Sequence, residues 1–408
     1  MSHSSYPSDA PLACVAGEIS MVRPLGRQGI SVALITSEPD SLTARSKYVK
    51  SVIEVPGWVD DPAGCIEALV AWGRRQPRKP VLFYQGDHDL VAISRARERL
   101  APHFSFVLPA AEMVEVLTDK LKFEDVARER GLPVPRTLRL RQGDDFFDKL
   151  KDWDAFPAVL KPSMRTNWYQ TIGCNQKALR VENREALDRQ LRLLAGHVSD
   201  MLVQAAVEGG EEQIVSYHAY VRADGSVAGE FTGRKIRTAP RLYGISSHVV
   251  ITDDARVMEA GRAVVRQLGF TGVLKADFKI DIRDDQLFLL EINPRFNLWH
   301  HPGTVAGVPL PQMVYDDCIG RARTAAGPVH IQQAGVRWVD PVLDWMASRE
   351  YRAAGELTRG TWLRELFTAD VNEGFSWSDP QPGWQALLGR FERRFARLTG
   401  RDAVRAGR

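Results

Sequence analysis

Cysteine is scarce in this chain of 408 residues, which contains only four. Cys14, Cys65, Cys174 and Cys318 lie far apart, form no CxxC pair and have no nearby histidine at the spacing of a metal site. Zinc sites and disulfide frameworks both need cysteines in closer patterns. The sequence therefore indicates neither, and we interpret the four residues as buried or incidental thiols.

Long apolar segments are also missing from the sequence. The chain begins with the polar stretch MSHSSYPSDAPLA, which lacks the basic and then apolar pattern of a signal peptide. No later apolar run in the sequence approaches the roughly 20 residues that a membrane-spanning helix needs. These absences predict a cytoplasmic protein without a membrane partner.

An excess of charge is missing as well, because 54 lysines and arginines face 51 aspartates and glutamates, for a net charge of +3. This balance gives no reason to expect a nucleic-acid partner. Basic residues concentrate only near the C-terminus, where the apolar residues from Trp384 to Leu398 share one helical stripe. We favour a docked helix with a solvated basic face over a polyanion-binding segment.

The composition that remains is that of an ordinary globular protein, with 44% hydrophobic and 26% charged residues. A chain of this length is expected to form two to four domains, since single domains usually hold about 100 to 200 residues. We place the domains at 1–112, 113–207, 208–320 and 321–408, the last being a mostly helical extension.

The first of these segments alternates strand-like and helix-like stretches. Its apolar runs are LACVAG, ISVALIT, SVIEVP and PVLFYQGD, and helical patterns such as DPAGCIEALVAWGRR lie between them. This alternation predicts a parallel sheet with crossover helices. Gly17, Gly26 and Gly29 surround the first turn, but their spacing is not GxGxxG, so we expect no dinucleotide there.

Two acids follow the fourth apolar run. Asp87 and Asp89 come after a strand and before a helix, at the edge where open α/β sheets hold ligands. One of them can equally be the N-cap of that helix. Both interpretations stay open on the sequence alone.

The middle of the chain divides into a smaller and a larger lobe. The helical pattern TDKLKFEDVARERG leads through LPVPRT into the short strands AVLKPS, KALRV and MLVQAAV, with a helix at 184–197 among them. Longer strand patterns follow in EQIVSYHAYVRADGSVAGEFTGRK and in a hairpin at 272–293. These patterns predict two lobes of mixed helix and strand.

The hairpin carries polar residues on one face and apolar residues on the other. A three-residue turn at 283–285 would set Asp277 opposite Glu291, and Lys275 opposite Asn293. The opposite face is predicted to form core contacts and consists of Ala276, Phe278, Ile280, Phe288, Leu290 and Ile292. The two acids therefore share the non-core face.

Two carboxylates about 5 Å apart across a strand pair repel one another unless a cation neutralises them. Asn293 adds an amide oxygen to Asp277 and Glu291, and oxygen ligands suit Mg²⁺, whereas no histidine or cysteine lies nearby for zinc. The hairpin thus predicts a magnesium site, with Mn²⁺ as an alternative. An exposed hairpin with scattered charges would not explain why Asn-Pro-Arg follows the acid.

A metal ion bound together with phosphate predicts cations for that phosphate. Lys120 begins a helix, Lys161 ends the strand AVLK, and Lys177 follows a 15-residue loop. Each lysine taken singly is typical of a solvated surface. The position of Lys161 favours an anion site, because its stem can be buried while its ammonium contacts the anion.

Taken in order, these motifs resemble the ATP-grasp superfamily; they are TDK, VLKP, a strand ending in VQ before VEGGEEQIVSY, KADFKID and LLEINPRFN. The resemblance covers about 113–320, and the lobe before it is similar to the family's Rossmann-like pre-ATP-grasp domain. FTGRKIRTAPRLYG resembles a segment of carboxylate–amine ligases of the D-aspartate ligase type. The loop PSMRTNWYQTIGCNQK departs from glycine-rich members by having only Gly173, and that branch is similar in this respect. The implied fold is an α/β ATP-grasp fold of α+β lobes with a helical C-terminal tail.

The resemblance also implies roles for individual residues. The ATP-binding residues would be Lys120 and Lys161 on the α- and β-phosphates, Lys177, Lys275, the hinge strand Gln204, Ala205, Ala206 and Val207 at the adenine, and Glu212 or, as second choice, Glu211 at the ribose. Asp277, Glu291 and Asn293 match the magnesium ligands, and Arg295 matches the arginine that faces the reacting phosphoryl and carboxylate groups. Lys235 and Arg237, with Arg234, are candidates to hold a substrate carboxylate, the alternative being a solvated edge strand.

The implied activity is that of an ATP-dependent carboxylate–amine ligase that forms an amide through an acyl phosphate and releases ADP and phosphate. Its partners would be amino-acid-like small molecules, and both a monomer and a dimer stay open. One alternative is transfer of the acyl phosphate to a carrier thiol or other acceptor. Another is a non-catalytic nucleotide-binding regulator, which the complete set of Asp277, Glu291, Asn293 and Arg295 disfavours.

Overall fold

The computed structural model describes residues 6–162, 178–194, 200–321 and 327–385. Lys177, the loop around Gly173 and most of the basic C-terminal stripe lie outside these residues. The described chain forms three sheets with helices packed against them. Its mixed α/β architecture agrees with the predicted fold class, while the domain boundaries at 112, 207 and 320 stay predictions.

The first sheet is parallel, as the alternating pattern predicted. Its strands are β1 (Ala13–Ala16), β2 (Val32–Thr36), β3 (Val49–Glu54) and β4 (Val81–Tyr84), in the order β3-β2-β1-β4. The helices are α1 (Ile19–Arg27), α2 (Pro62–Gly73), α3 (Asp87–Arg95), α4 (Arg97–Leu100) and α5 (Ala111–Leu117). Strands β1 and β4 are buried throughout, which explains their continuous apolar sequences.

The second sheet is antiparallel and belongs to the smaller lobe. Its strands are β5 (Thr137–Leu140), β6 (Ala158–Pro162), β7 (Leu179–Val181) and β8 (Met201–Ala205), in the order β5-β8-β6-β7. The accompanying helices are α6 (Lys120–Glu129), α7 (Phe146–Lys149) and α8 (Arg184–Leu194). Leu187, Leu191 and Leu194 of α8 pack with Leu160 and Val203 of the strands in one buried cluster. This packing fixes β6, whose last residues include Lys161.

The third sheet has seven strands and forms the larger lobe. Its order is β13-β12-β9-β10-β11-β14-β15, with β9 (Ile214–Val221), β10 (Val227–Ala239), β11 (Ile245–Thr252), β12 (Gly272–Ile280) and β13 (Leu287–Asn293). The helices of this region are α9 (Ala255–Leu268), α10 (His300–Val305) and α11 (Leu310–Cys318), and 3-10 turns lie at Thr43–Arg45 and Glu211–Gln213. Helix α9 shares a buried cluster with Tyr217 of β9 and Ala276 of β12, which leaves the opposite sheet face for the polar residues.

The C-terminal region contains the predicted helices, α12 (Pro341–Ala353) and α13 (Arg359–Thr368), and also two strands that the sequence analysis missed. Strand β14 (Arg337–Val339) pairs with β11, and β15 (Val371–Asn372) pairs with β14. Beyond them, Asp379 accepts hydrogen bonds from Arg23 Nε at 3.2 Å, Ser46 Oγ at 2.8 Å and Lys47 N at 2.9 Å. The region therefore completes the large sheet and contacts the first domain.

The β12–β13 hairpin confirms the predicted pairing of Asp277 with Glu291 and of Lys275 with Asn293. Its loop is longer than predicted, because the strands end at Ile280 and resume at Leu287. A bulge at Leu290 compensates for this longer loop, since Phe278 pairs with Leu289 while Asp277 pairs with Glu291.

The assignment of Phe288 and Leu290 to the core face was therefore wrong. The bulge changes which side chains of β13 point to the core, and Leu289 is the fully buried residue there. The polar face beyond the bulge keeps the arrangement that the sequence predicted.

Candidate active site

The candidate site lies on the face of the seven-stranded sheet that does not contact α9. Asp277, Ser216 and Gly233 are aligned across β12, β9 and β10. The next row along the strands contains Lys275, His218 and Phe231. Side chains two residues apart on a strand share a face, so both rows point to the same side.

Asp277 is buried and forms two short hydrogen bonds. Its Oδ1 accepts from Ser216 Oγ at 2.5 Å, and its Oδ2 accepts from Lys275 Nζ at 2.7 Å. Burial raises the pKa of the Asp277 carboxyl, but Lys275 and Lys235 more than offset this effect and hold the pKa at about 2. Asp277 is therefore ionised at neutral pH.

Glu291, Asn293 and Arg295 form a chain of polar contacts beside Asp277. Asn293 Nδ2 donates to Glu291 Oε1 at 3.2 Å, and Arg295 donates through an NH2 group to Asn293 Oδ1 at 3.3 Å. Glu291 is exposed, whereas Asp277 opposite it is buried. A ligand can thus reach one carboxylate from solvent and find the second behind it.

The donor set suits a hard cation. Two carboxylates and one amide oxygen project from one face of the hairpin, and Mg²⁺ commonly takes one or two carboxylates and completes its shell with water and phosphate oxygens. Within the described residues, no cluster of three or more histidine, cysteine, aspartate or glutamate side chains forms a denser metal site. The residues present fit magnesium held jointly with phosphate better than an all-protein metal cage.

Lys161 lies across from Glu291, at the end of β6. Its Nζ donates to Gln204 Oε1 at 2.6 Å, and Gln204 Nε2 donates to Thr137 Oγ1 at 2.8 Å. Burial lowers the pKa of the Lys161 ammonium, while the charges of Glu291 and Glu124 partly restore it. A desolvated ammonium of this kind gains most from an anion placed beside it.

The predicted adenine segment, Gln204 to Val207, runs along the end of β8. The backbone N–H groups of Ala205 and Ala206 donate to Arg136 O and Pro157 O, both at 2.8 Å. Ala206 also packs with Val159, Ala178 and Tyr243 in a small apolar cluster. Such a flat apolar setting suits a base, and the adenine role of this segment stays a prediction, as do the phosphate roles of Lys120, the first residue of α6, and Lys161.

The two candidate ribose acids are placed differently by the 3-10 turn that contains them. Glu211 is buried, and its Oε2 has no hydrogen-bond partner among the described residues, while Oε1 accepts from Tyr243 N at 3.3 Å. Glu212 is exposed. A buried carboxylate oxygen without a partner is costly unless a ligand donates to it. The structure therefore favours Glu211, the second choice from the sequence, over Glu212.

Arg237 corrects a second expectation. Its guanidinium donates to Asp344 at 2.9 and 3.0 Å and to Glu365 Oε2 at 2.5 Å, and it lies 2.7 Å from His248 Nδ1. A bulge between Lys235 and Arg237 interrupts the alternation of β10 and brings Arg237 against α12. The guanidinium is occupied by these partners, so Arg237 is not a substrate-carboxylate ligand.

The neighbouring cations of β10 lack the buried partners of Arg237, and their carboxylate-binding role stays a prediction. Lys235 is half-buried, and its charge contributes to the low pKa of Asp277. Arg234 is exposed. Of the three basic residues proposed to hold a carboxylate, Lys235 is the one that lies beside the candidate metal ligands.

Several residues of the site were missed from the sequence. Trp299 lies beneath Lys275, with Nζ 5.3 Å from the ring centroid. Its ring lies beside His218, with the centroids 5.2 Å apart and the planes tilted by 35°. The close packing of Trp299 requires glycine at position 233, because a Cβ there would lie 2.4 Å from the Trp299 ring. Glu124 of α6 is a buried acid near Lys161, and burial raises the pKa of its carboxyl. A glycine within a long strand was the only sequence signal for any of these contacts.

Comparison with known proteins identifies sequence relatives and structural neighbours. The chain is 28% identical over 288 residues to the D-aspartate ligase of Enterococcus faecium, covering 67% of this chain and 68% of that protein. It is 27% identical over 195 residues to the D-alanine–D-alanine ligase of Burkholderia thailandensis, covering 45% of this chain and only 59% of the relative. No protein-family model matches the sequence.

Three solved structures show the same fold at low sequence identity. N5-carboxyaminoimidazole synthetase from Staphylococcus aureus superposes with a TM-score of 0.58 at 14% identity, covering 79% of this chain and 80% of that chain. L-amino acid ligase from Bacillus licheniformis gives a TM-score of 0.56 at 15% identity, covering 76% and 74%. The biotin carboxylase domain of Hydrogenobacter thermophilus 2-oxoglutarate carboxylase, in complex with MgADP, gives 0.58 at 15% identity, covering 77% and 71%.

The three sheets, the order of the motifs and the sequence match to D-aspartate ligase agree with one another and with these structural neighbours. None of the helices in the described residues combines the length and apolar character required to cross a bilayer. The D-aspartate ligase relative and these structural neighbours all belong to the ATP-grasp superfamily, in agreement with the resemblance of the sequence motifs.

Proposed function

We propose that this protein is an ADP-forming carboxylate–amine ligase that uses Mg-ATP to join the carboxylate of an amino acid to an amine. The relatives and one structural neighbour named as ligases act on D-aspartate, D-alanine and L-amino acids by their names, which supports an amino-acid-like donor. ADP and MgADP in the complexes of structural neighbours support the nucleotide and the metal.

The observation that supports this proposal most strongly is the presence of two desolvated lysines, Lys161 and Lys275, beside the candidate metal-binding acids. Lys161, Lys235, Lys275 and Arg295 lie around Asp277 and Glu291, while Glu124 lies near Lys161 and Asp87 pairs with Arg295. Burial lowers the pKa of both Lys161 and Lys275, because a charged ammonium group loses hydration there at a cost in free energy. A bound triphosphate would place negative charge beside both lysines and offset this cost.

Asp277, Glu291 and Asn293 are the residues that would hold Mg²⁺ in this proposal. The bound ion would shield the negative charge of the triphosphate during phosphoryl transfer. The low pKa of Asp277 supports this role, because a metal ligand must be deprotonated. Glu211 would accept from the ribose hydroxyls through its unpartnered Oε2.

The chemistry proceeds in two steps that this set of residues can serve. A carboxylate oxygen of the substrate attacks the γ-phosphorus, and ADP leaves with the electrons of the broken P–O bond. An amine then attacks the acyl carbon, loses a proton and displaces phosphate. Lys161 and Lys275 would stabilise charge on the transferring phosphoryl group, while Lys235 and Arg295 would orient the carboxylate and stabilise the oxyanion of the second step.

The experiment that tests the proposal measures ADP release while amino acids are supplied singly and in pairs with other amines. A ligase requires a carboxylate for ADP release, and a suitable amine raises the rate further. Intact-mass analysis should then show an amide, with free phosphate in equal amount. Hydroxylamine should trap the acyl phosphate when no amine is present.

Two outcomes would contradict the proposal. ATP consumption at full rate without a carboxylate would show a hydrolase. Formation of AMP and pyrophosphate would show adenylate chemistry, which a site built around the γ-phosphate does not explain. A thioester product in place of an amide would instead support transfer to a carrier thiol.

A further inference from the structure

Arg295 contacts a residue of the first domain that lies 208 positions earlier in the chain. Its Nε donates to Asp87 Oδ1 at 2.5 Å, and one NH2 group lies 3.5 Å from Asp87 Oδ2. The other terminal nitrogen donates to the backbone carbonyl of Gln85 at 2.9 Å. The loop between β4 and α3 therefore holds the guanidinium on two sides.

This loop is itself firmly braced. Asp89 Oδ2 accepts from the backbone N–H groups of Gln85 and Gly86, both at 3.0 Å. The Gln85 side chain accepts from Glu18 N at 2.7 Å and donates to Ser20 Oγ at 2.8 Å. Neither acid is itself the N-cap, which is Gly86; Asp89 is the third residue of α3 and accepts from the N-cap backbone. Asp87, the first residue of α3, pairs with Arg295.

The three guanidinium nitrogens of Arg295 make contacts of different lengths. Nε and one terminal nitrogen make the short bonds, to Asp87 and to Gln85 O. The other terminal nitrogen makes only the longer contacts, at 3.3 Å to Asn293 Oδ1 and 3.5 Å to Asp87 Oδ2. That nitrogen is the one directed at the Asn293–Glu291 pair, and its weak contacts can yield to a substrate oxygen.

We propose that Asp87 is a positioning residue for the ligase reaction, which anchors Arg295 through Nε so that the remaining NH2 group faces the reacting carboxylate. This inference rests on the proposed function. Asp87 touches no reacting atom in this scheme and acts through Arg295. The active site is consequently completed by the first domain as well as by the two lobes that bind ATP.

The Asp87–Arg295 ion pair contributes too little to folding stability for stability to explain its presence. The Asp87 side chain is 53% exposed, and ion pairs this open to water contribute at most about 1 kcal/mol. A comparable exposed pair joins Arg95, the last residue of the same helix α3, to Glu115 of α5, with Nε 2.8 Å from Oε1. Glu115→Gln therefore serves as a matched control in which an exposed arginine–carboxylate pair is lost away from Arg295.

The test compares Asp87→Asn, Asp87→Glu and Glu115→Gln with the wild type in carboxylate-dependent ADP release. We expect Asp87→Asn to lower kcat between about 10- and 100-fold, because a misplaced guanidinium loses transition-state contacts. The KM for ATP and the thermal shift caused by Mg-ATP should stay unchanged, because Asp87 lies outside the nucleotide contacts. Asp87→Glu should recover part of the rate, and Glu115→Gln should match the wild type.

A double-mutant cycle with Arg295→Lys separates positioning from a general structural effect. Lysine has no side-on pair of N–H groups for a carboxylate, so Asp87→Asn should cost little further rate in the Arg295→Lys background. The same fold loss in both backgrounds, or an unchanged kcat for Asp87→Asn, would overturn the inference and leave the ligase assignment standing. A wild type that releases no ADP with any carboxylate would overturn both.

Discussion

The ammonium of Lys275 and the carboxylate of Asp277 form a buried ion pair, with Nζ 2.7 Å from Oδ2, directly beside the exposed carboxylate of Glu291. This pair changes the interpretation of the hairpin. The sequence suggested that a divalent cation must relieve repulsion between Asp277 and Glu291. Lys275 and Lys235 already provide much of that relief, so the repulsion between the two acids does not by itself require a metal.

The first prediction concerns Glu291→Gln. We expect ADP release to fall by about two orders of magnitude or more, because the exposed carboxylate that would meet the metal and phosphate loses its charge. The melting temperature without nucleotide should change little, since Glu291 is exposed and no large repulsion with Asp277 remains to be relieved. Glu259→Gln, which removes an exposed acid paired with Arg266, is the control. Unchanged ADP release by Glu291→Gln would remove the metal assignment.

The second prediction concerns Lys161→Met, which keeps an apolar stem and deletes the ammonium. Burial lowers the pKa of Lys161, so the charged group costs folding free energy and its removal should raise the melting temperature of the free protein. Stabilisation by Mg-ATP, about 2.7 kcal/mol at 100 times Kd, should largely disappear. Opposite changes in these two quantities are expected in differential scanning fluorimetry. An equal nucleotide shift in wild type and variant would mean that Lys161 does not contact phosphate.

Local patterns in the sequence predicted those parts of the site that depend on one strand or one hairpin. The pairing of Asp277 with Glu291 followed from strand alternation, even though a longer loop and a bulge at Leu290 produce it. The half-buried position of Lys161 followed from its place at the end of an apolar strand. In both cases the relevant partners lie on the same or an adjacent element.

Local patterns failed where a single irregularity or a distant partner decides the outcome. The bulge beside Ile236 turns Arg237 away from the polar face. No residue type in that stretch predicts a bulge. Glu211 and Glu212 are adjacent in a 3-10 turn, and the first is buried while the second is exposed. A shift of one position in the turn would exchange them. The pairing of Asp87 with Arg295 depends on how two domains pack, which no short segment encodes.

The third prediction concerns the close packing of Gly233 against Trp299. Gly233→Ala would place a Cβ 2.4 Å from Trp299 Cζ3 and 3.0 Å from Val250 O, so the ring must shift. We expect a loss of about 1 to 3 kcal/mol in unfolding free energy, together with lower turnover because Trp299 supports Lys275. Gly360→Ala in α13, where a Cβ meets nothing within 4 Å, should leave stability equal or higher. Equal stability of Gly233→Ala and the wild type would contradict the packing account.

The fourth prediction concerns the pH dependence of stability at Asp89. Burial raises the pKa of Asp89 to about 6, despite its backbone hydrogen bonds and the charge of Arg295. The folded state therefore binds this proton more tightly than the unfolded state, and ionisation of Asp89 costs folding free energy above pH 6. The cost, on the order of 3 kcal/mol at pH 7.5, should fade as the pH drops toward 4.

Asp89→Asn isolates this contribution, because it cannot ionise. Its unfolding free energy relative to the wild type should be most favourable at pH 7.5 and should decline at pH 5. Loss of the cap bonds to Gln85 and Gly86 can shift the whole curve without changing its slope. A difference between the two proteins that does not vary with pH would show that Asp89 titrates at its ordinary value.

The last prediction contrasts two basic residues of β10 that the sequence grouped together. Arg237→Met should leave the charge of Asp344 uncompensated in a buried cluster. Within the described part of the chain, Asp344 would keep only Ser247 Oγ at 3.0 Å and Trp362 Nε1 at 2.9 Å as side-chain donors. Breaking a buried pair in this way typically costs about 3 to 5 kcal/mol, so the melting temperature should fall sharply while kcat per folded molecule is retained.

Lys235→Met should do the opposite, with a small change in stability and a large rise in the KM for the carboxylate, since Lys235 lies on the polar face near Asp277. Thermal unfolding and steady-state ADP release measured on both variants distinguish the two roles. If Arg237→Met instead loses turnover at an unchanged melting temperature, the guanidinium binds substrate and its ion pairs with α12 and α13 are secondary.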